Sequence, residues 1–178
     1  MTRQRAARVR LATPADVPAM AVVERSAAAR FRTLPELAWL ADGEPIAAAD
    51  QLAWIAAGTA WVATDPDDAP VGLLDAEVFG TALHVWELSV HRSWQGRGIG
   101  RALLDAAIGH ACEAGLGAVT LTTFRDVAWN APFYARAGFE TINDDTLCAR
   151  LRAVLARERA AGLSPARRCA MRRRLVTG

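Results

Sequence analysis

Val90-His91-Arg92-Ser93-Trp94-Gln95-Gly96-Arg97-Gly98-Ile99-Gly100-Arg101 places a glycine-rich, basic turn between an apolar strand and a strongly patterned helix. Gly96, Gly98 and Gly100 remove the side chains that would keep an anion away from the backbone. A helix opening straight after such a turn presents N–H groups without intrahelical partners and the positive end of its dipole. The stretch therefore predicts a cradle for a phosphate-like anion. Its donors would be the main-chain N–H groups of Gln95, Gly96, Arg97, Gly98, Ile99, Gly100 and Arg101.

On both sides the pattern is regular. Ala82 to Val90 reads as a strand feeding the turn. Arg101 to Gly115 reads as a helix with Leu103, Leu104, Ala107, Ile108 and Ala111 on one face. Gly115 and Gly117 end it and Ala118 to Phe124 is again a strand, so strand, crossover helix and strand make one parallel βαβ unit. Upstream, Thr59 to Thr64, Val71 to Phe79 and a Gly80-Thr81 turn supply an antiparallel meander. The expected class is α/β in the mixed α+β sense, with the parallel unit spliced onto the antiparallel sheet.

The chain begins with a short apolar run, Val9 to Ala12, and then Thr13-Pro14-Ala15-Asp16, which starts a helix running to about Ala29. Val17, Met20, Ala21, Glu24, Ala27 and Ala28 form its mostly apolar stripe. A second helical region covers Pro35 to Ala57, interrupted at Asp42-Gly43-Glu44-Pro45 and stopped at Gly58. Phe31, Trp39 and Trp54 on these segments read as core aromatics. Beyond Phe124, a short helix starts near Pro132 and closes at Gly138, and a strand resumes at Phe139. A helix lies between Asp145 and Gly162, and Arg168 to Val176 is a closing strand. No linker or repeat divides the chain, so residues 1–178 are expected to form one domain.

The 178 residues, 52% hydrophobic and 22% charged, suit a globular domain with its own core. No apolar run approaches a membrane span, and the arginine-rich opening from Met1 to Arg10 is not followed by an apolar stretch; a cytoplasmic protein without a signal peptide is expected. Cys112, Cys148 and Cys169 are odd in number and widely spaced, and His84, His91 and His110 add no metal-ligand spacing, so thiols and no metal are expected. All 21 basic residues are arginine, nine of them after Ala149 against the single acid Glu158. With lysine absent, this reads as compositional bias on a solvated face rather than a nucleic-acid surface.

Two motifs resemble the GCN5-related N-acetyltransferases, and the likeness runs in order through nearly the whole chain. Gln95-Gly96-Arg97-Gly98-Ile99-Gly100 matches the family's Gln/Arg-x-x-Gly-x-Gly/Ala signature, with Glu87-Leu88-Ser89-Val90 before it and a Leu-Leu helix after it. Phe133-Tyr134-Ala135-Arg136-Ala137-Gly138-Phe139 looks like the family's second element, one strand later.

The resemblance implies a sheet with splayed central strands and acetyl-CoA as cofactor. Its pyrophosphate would lie in the turn and its pantetheine arm would pair with the backbone of Leu88, Ser89 and Val90. Asn130 and Phe133 are carried over as further cofactor contacts, although Asn130 stands only four residues before Tyr134, closer than the family's asparagine usually does. The implied reaction is transfer of the acetyl group to a primary amine, on a small molecule or a peptide, by direct attack in a ternary complex.

An alkylamine of pKa about 10 is only about one part in a thousand neutral at pH 7, a penalty of roughly 4 kcal/mol that a base relieves. Glu87 is the candidate base, with binding of a cationic substrate as its alternative role. Tyr134, the chain's one tyrosine, is the candidate acid for the departing sulfur. The acceptor is expected to be a cationic amine, entering over the N-terminal helices and the strand around Glu87. The helix between Asp145 and Gly162 would be an acceptor-side or dimer-side elaboration, which leaves a homodimer open.

Two other classes use similar features. A dinucleotide-binding oxidoreductase needs Gly-x-Gly-x-x-Gly, and the third glycine is Arg101 or Leu103 in the two possible frames. A non-catalytic acyl-CoA sensor would keep the turn and lose the acid and base, whereas Glu87 and Tyr134 are both present.

Overall fold

A computed structural model of the chain describes residues 7–176. Residues 1–6, the first part of the arginine-rich opening from Met1 to Arg10, lie outside the described residues. Seven strands form a mixed sheet: β1 (Arg8–Leu11), β2 (Ala60–Thr64), β3 (Pro70–Phe79), β4 (Ala82–Val90), β5 (Ala118–Phe124), β6 (Glu140–Thr141) and β7 (Arg168–Arg174), in the order β1-β2-β3-β4-β5-β7-β6. The helices are α1 (Val17–Ala28), α2 (Ala48–Ala56), α3 (Ile99–Glu113), α4 (Ala131–Arg136) and α5 (Ala149–Ala160). The chain divides into two compact units, Met1–Glu77 with Glu87–Gly109, and Val78–Trp86 with His110–Gly178.

In the first unit β2 pairs antiparallel with both β1 and β3. The start of the first helix is fixed by Asp16, whose carboxylate accepts from the Thr13 N–H at 2.7 Å, the Thr13 hydroxyl at 2.9 Å and the Arg10 guanidinium at 2.8 Å. Ala12, Met20, Val23, Ala60, Val62 and Leu73 form a core cluster, with Trp54 and Ile55 packed against it. α3 presses on β3 at Gly72, where a Cβ would stand 3.0 Å from Ile99 Cγ2 and 3.1 Å from Leu103 Cδ1. Only a residue without a side chain lets the first turn of α3 approach this closely.

In the second unit the parallel β4–β5 register runs from Ala82↔Ala118 to Val85↔Leu121, and β5 pairs antiparallel with β7 along its whole length. Ile142, Leu147, Leu151 and Ala170 form its core cluster, with Leu155 against it. His84 is fully buried, with Nδ1 3.0 Å from Thr120 Oγ1 and 3.2 Å from the Arg150 guanidinium. Burial, reinforced by the charges of Arg150 and Arg157, pushes its pKa down to about 3, so the ring is neutral.

Several expectations shift. Pro35–Asp42, read as part of a helical region, is 3-10 rather than α-helix, since Pro35 and the Asp42–Pro45 breaker leave too few residues for a stable α-helical run. Trp39, read as core, is 49% exposed on this segment. The last strand does not close the sheet: β6 is only two residues long and lies outside β7. The arginine-rich C-terminal segment is not simply a solvated face. Arg168 makes a paired contact with Glu158 at 2.8 Å, Arg167 meets Asp126 at 2.7 Å, and Arg173 donates to the Ala137 carbonyl at 2.8 Å.

Candidate active site

The turn after β4 is built as its sequence demands. Gly96 and Gly98 have φ of 75° and 79°, the left-handed region in which side chains are strained. Gln95 ties the loop back to the strand by donating from Nε2 to the Val90 carbonyl at 3.0 Å. Arg97 donates to the Ser93 carbonyl at 3.0 Å, with its guanidinium 4.7 Å from the Trp94 ring centroid. The Gly98 carbonyl accepts from the Ala102 N–H at 3.0 Å, so the helical ladder begins at Gly98 and α3 at Ile99, two residues before the expected start. The N–H groups of Ile99, Gly100 and Arg101 then belong to the first turn, which has no intrahelical acceptor for them. The Arg101 side chain engages Asp105 at 2.8 Å, so an anion here meets mainly backbone.

Leu88, Ser89 and Val90 lie beyond Val85, where the described β4–β5 register ends. Ser89 is buried and its hydroxyl donates to Glu87 Oε1 at 2.6 Å; Glu87 itself is half-buried. The first unit thus brings together Glu87, the strand Leu88–Val90 and the turn Gln95–Arg101.

Beside Glu87 the structure holds a group that the sequence did not single out. Gln51 on α2 is fully buried and donates from Nε2 to Glu24 Oε1 at 2.8 Å and to Asp75 Oδ2 at 3.3 Å. Glu24 Oε2 accepts from the Ile46 N–H at 3.0 Å. Burial pushes Glu24 up to about 7, aided by the Glu87 charge and opposed by the bonds from Ile46 and Gln51 and by Arg25. Burial likewise pushes Asp75 up to about 7, opposed by Gln51 and aided by Glu87 and Glu24. Asp75 stands in the apolar run Val71 to Phe79 and Glu24 in an apolar helix stripe. A charged residue inside an apolar run was the available signal, but whether the two face each other depends on packing across elements far apart in sequence.

The second unit carries the other candidates. The Asn130 carbonyl accepts from the Phe133 and Tyr134 N–H groups at 2.8 and 3.1 Å, so its backbone opens α4. The Tyr134 ring packs edge-on to Phe133 and Phe139, with centroids 5.1 and 5.8 Å away. Phe133 and Tyr134 are only half-buried, so neither is a sealed core residue.

The model of the acetyltransferase (GNAT) domain matches residues 56–141, which include the glycine turn and the Phe133–Phe139 element. Among solved structures the fold is shared with the PaiA N-acetyltransferase of Thermoplasma acidophilum, solved in complex with coenzyme A, at 14% identity and TM-score 0.70, covering 96% of this chain and 100% of that one. It is shared with Rv2747 of Mycobacterium tuberculosis, in complex with CoA and NLQ, at 23% identity and TM-score 0.67, covering 95% and 99%. The ribosomal-protein-S18-alanine N-acetyltransferase of Escherichia coli matches at 14% identity and TM-score 0.65, covering 97% and 96%. With the glycine turn and the second motif both inside the matched residues, the chain carries a stretch, 56–141, similar to the acetyltransferase (GNAT) domain, on a fold shared with these solved structures.

Proposed function

We propose that this protein, acting as a single domain in the cytoplasm, is an acetyl-CoA-dependent N-acetyltransferase that acetylates a primary amine by direct attack in a ternary complex. The observation that carries the reading is the turn from Gln95 to Arg101. Its left-handed glycines and the first-turn N–H groups of α3 suit a pyrophosphate, and no side chain stands within 4 Å of where a Cβ at Gly96 or Gly98 would lie. The coenzyme A complexes of PaiA and Rv2747 support the same cofactor here.

When bound, acetyl-CoA supplies the acetyl group as an activated thioester. In this reading the backbone of Leu88, Ser89 and Val90 receives the pantetheine arm, with Asn130 and Phe133 as further contacts. Glu87, steadied by Ser89, takes a proton from the incoming ammonium and leaves the nitrogen lone pair available. Tyr134 holds at Oη the proton that the departing sulfur requires.

The test is incubation of the purified protein with acetyl-CoA and a broad panel of primary amines, following free thiol. Amine-dependent thiol release is the expected result. Tight acetyl-CoA binding without turnover on any amine would favour a sensor, and binding of a nicotinamide dinucleotide at the turn would overturn the transferase reading.

A further inference from the structure

Resting on the transferase reading, we propose that Asp75 Oδ1, Gln51 Oε1 and the Glu87 carboxylate seat the reacting ammonium group, so that the acceptor is a primary alkylamine without a carboxylate on the nitrogen-bearing carbon. Asp75 and Gln51 are both fully buried, yet Asp75 Oδ1 and Gln51 Oε1 have no hydrogen-bond partner among the described residues. Gln51 Nε2 donates to both Glu24 and Asp75, so the amide that carries Oε1 is anchored in the same cluster. Buried polar atoms are otherwise almost always paired, so two orphans in one cluster mark a place for a guest.

The type of orphan identifies the guest. Gln51 Oε1 and, once Asp75 is ionised, its Oδ1 are acceptors, so the guest must bring donors. An alkylammonium has three N–H donors and no acceptor, which matches Asp75 Oδ1, Gln51 Oε1 and a Glu87 oxygen one for one. Its positive charge also answers the field of Glu24, Asp75 and Glu87, which Arg25 opposes at Glu24. Among the described residues no group of three carboxylate, histidine or cysteine side chains has the arrangement to hold a metal ion. A carboxylate on the guest would add a fourth negative charge to those of Glu24, Asp75 and Glu87, and α-amino acids are therefore excluded by repulsion.

The seat also prepares the amine. With Asp75 and Glu24 both pushed up to about 7, these carboxylates carry protons near neutral pH that an arriving cation displaces to solvent. Glu87, the half-buried member, then takes one proton from nitrogen: an N–H bond breaks, an O–H bond forms, and R–NH3+ with a carboxylate becomes R–NH2 with a carboxylic acid.

The experiment is calorimetric titration of the full chain with n-butylamine and with glycine at pH 7.5, in two buffers of different ionisation enthalpy. Binding of n-butylamine with net proton release is expected, and glycine should bind at least tenfold more weakly. Asp75→Asn, which keeps size and shape, should weaken n-butylamine at least tenfold and reduce the protons released. Glu24→Gln should weaken it severalfold, and thermal unfolding checks that both variants are folded. Absence of n-butylamine binding to the folded wild type, equal binding by Asp75→Asn, or equal binding of glycine overturns the seat. Thiol release is read separately. Turnover of n-butylamine with an unchanged KM in Asp75→Asn overturns the seat while sustaining the transferase, whereas amine binding without thiol release overturns the transferase and sustains the seat.

Discussion

The Ser89 hydroxyl donates to Glu87 Oε1 at 2.6 Å, two residues along β4 and therefore on the same strand face. The bond fixes the orientation of the carboxylate that is proposed to receive the proton. Ser89→Ala should lower kcat/KM severalfold by releasing that orientation. Glu87→Gln should lower kcat by about 10²- to 10⁴-fold, the usual worth of a general base. Steady-state rates across pH 5 to about 9 read both, and an unchanged rate in Glu87→Gln would remove Glu87 from the proton transfer.

Tyr134→Phe removes one oxygen and keeps the ring that packs against Phe133 and Phe139. The variant should bind acetyl-CoA with wild-type affinity and lose roughly 10²-fold in kcat. A full rate in the variant would leave Tyr134 a packing residue.

Gly98 has φ of 79° and open space around its missing Cβ, so a substitution there acts by backbone strain rather than by collision. Gly98→Val should cost about 1–2 kcal/mol in stability. It should also weaken acetyl-CoA at least severalfold, because the relaxed loop re-aims the N–H groups at the start of α3. Equilibrium titration with acetyl-CoA and thermal unfolding separate the two effects.

Gly72 is the contrasting case, with its φ unremarkable and its surroundings full. An added methyl meets Ile99 Cγ2 at 3.0 Å and Leu103 Cδ1 at 3.1 Å, and forces the first turn of α3 away from β3. Gly72→Ala should destabilise by about 1–3 kcal/mol, the usual cost of overpacking, which denaturant unfolding measures.

Asp75 gives stability a pH dependence of known sign. Its folded pKa of about 7 lies above its ordinary value of 3.8, so between those limits the folded state binds more protons than the unfolded chain. Its share of stability is full below pH ~4 and is lost as pH rises to about 7. His84 acts oppositely: held neutral, with its pKa near 3, it withdraws stability as pH falls below about 6.5. Asp75→Asn isolates the first effect. The variant should gain roughly 2–4 kcal/mol over wild type at pH 8 and little at pH 4.5. Equal differences at the two pH values would show that Asp75 does not titrate in this window.

Most strand and helix limits were legible because they are local. Alternation, the Thr13–Asp16 start and the stops at Gly58, Gly115 and Gly138 act within a few residues of chain. The glycine turn was legible for the same reason, since glycine spacing and a following helix are enough to form it. The 3-10 turns around Trp39 and the place of β7 inside β6 were not, because both depend on what packs alongside.

By itself, then, the sequence determined the sheet-and-helix succession, the glycine turn and the two family motifs, all of which rest on backbone preferences and short-range spacing. Tertiary structure alone decided that Glu24, Gln51 and Asp75, drawn from a helix stripe, a second helix and a strand, share one buried site next to Glu87. The raised pKa values of Glu24 and Asp75 arise from desolvation and from repulsion by neighbouring carboxylates, and these exist only once folding has removed water from between segments remote in the chain.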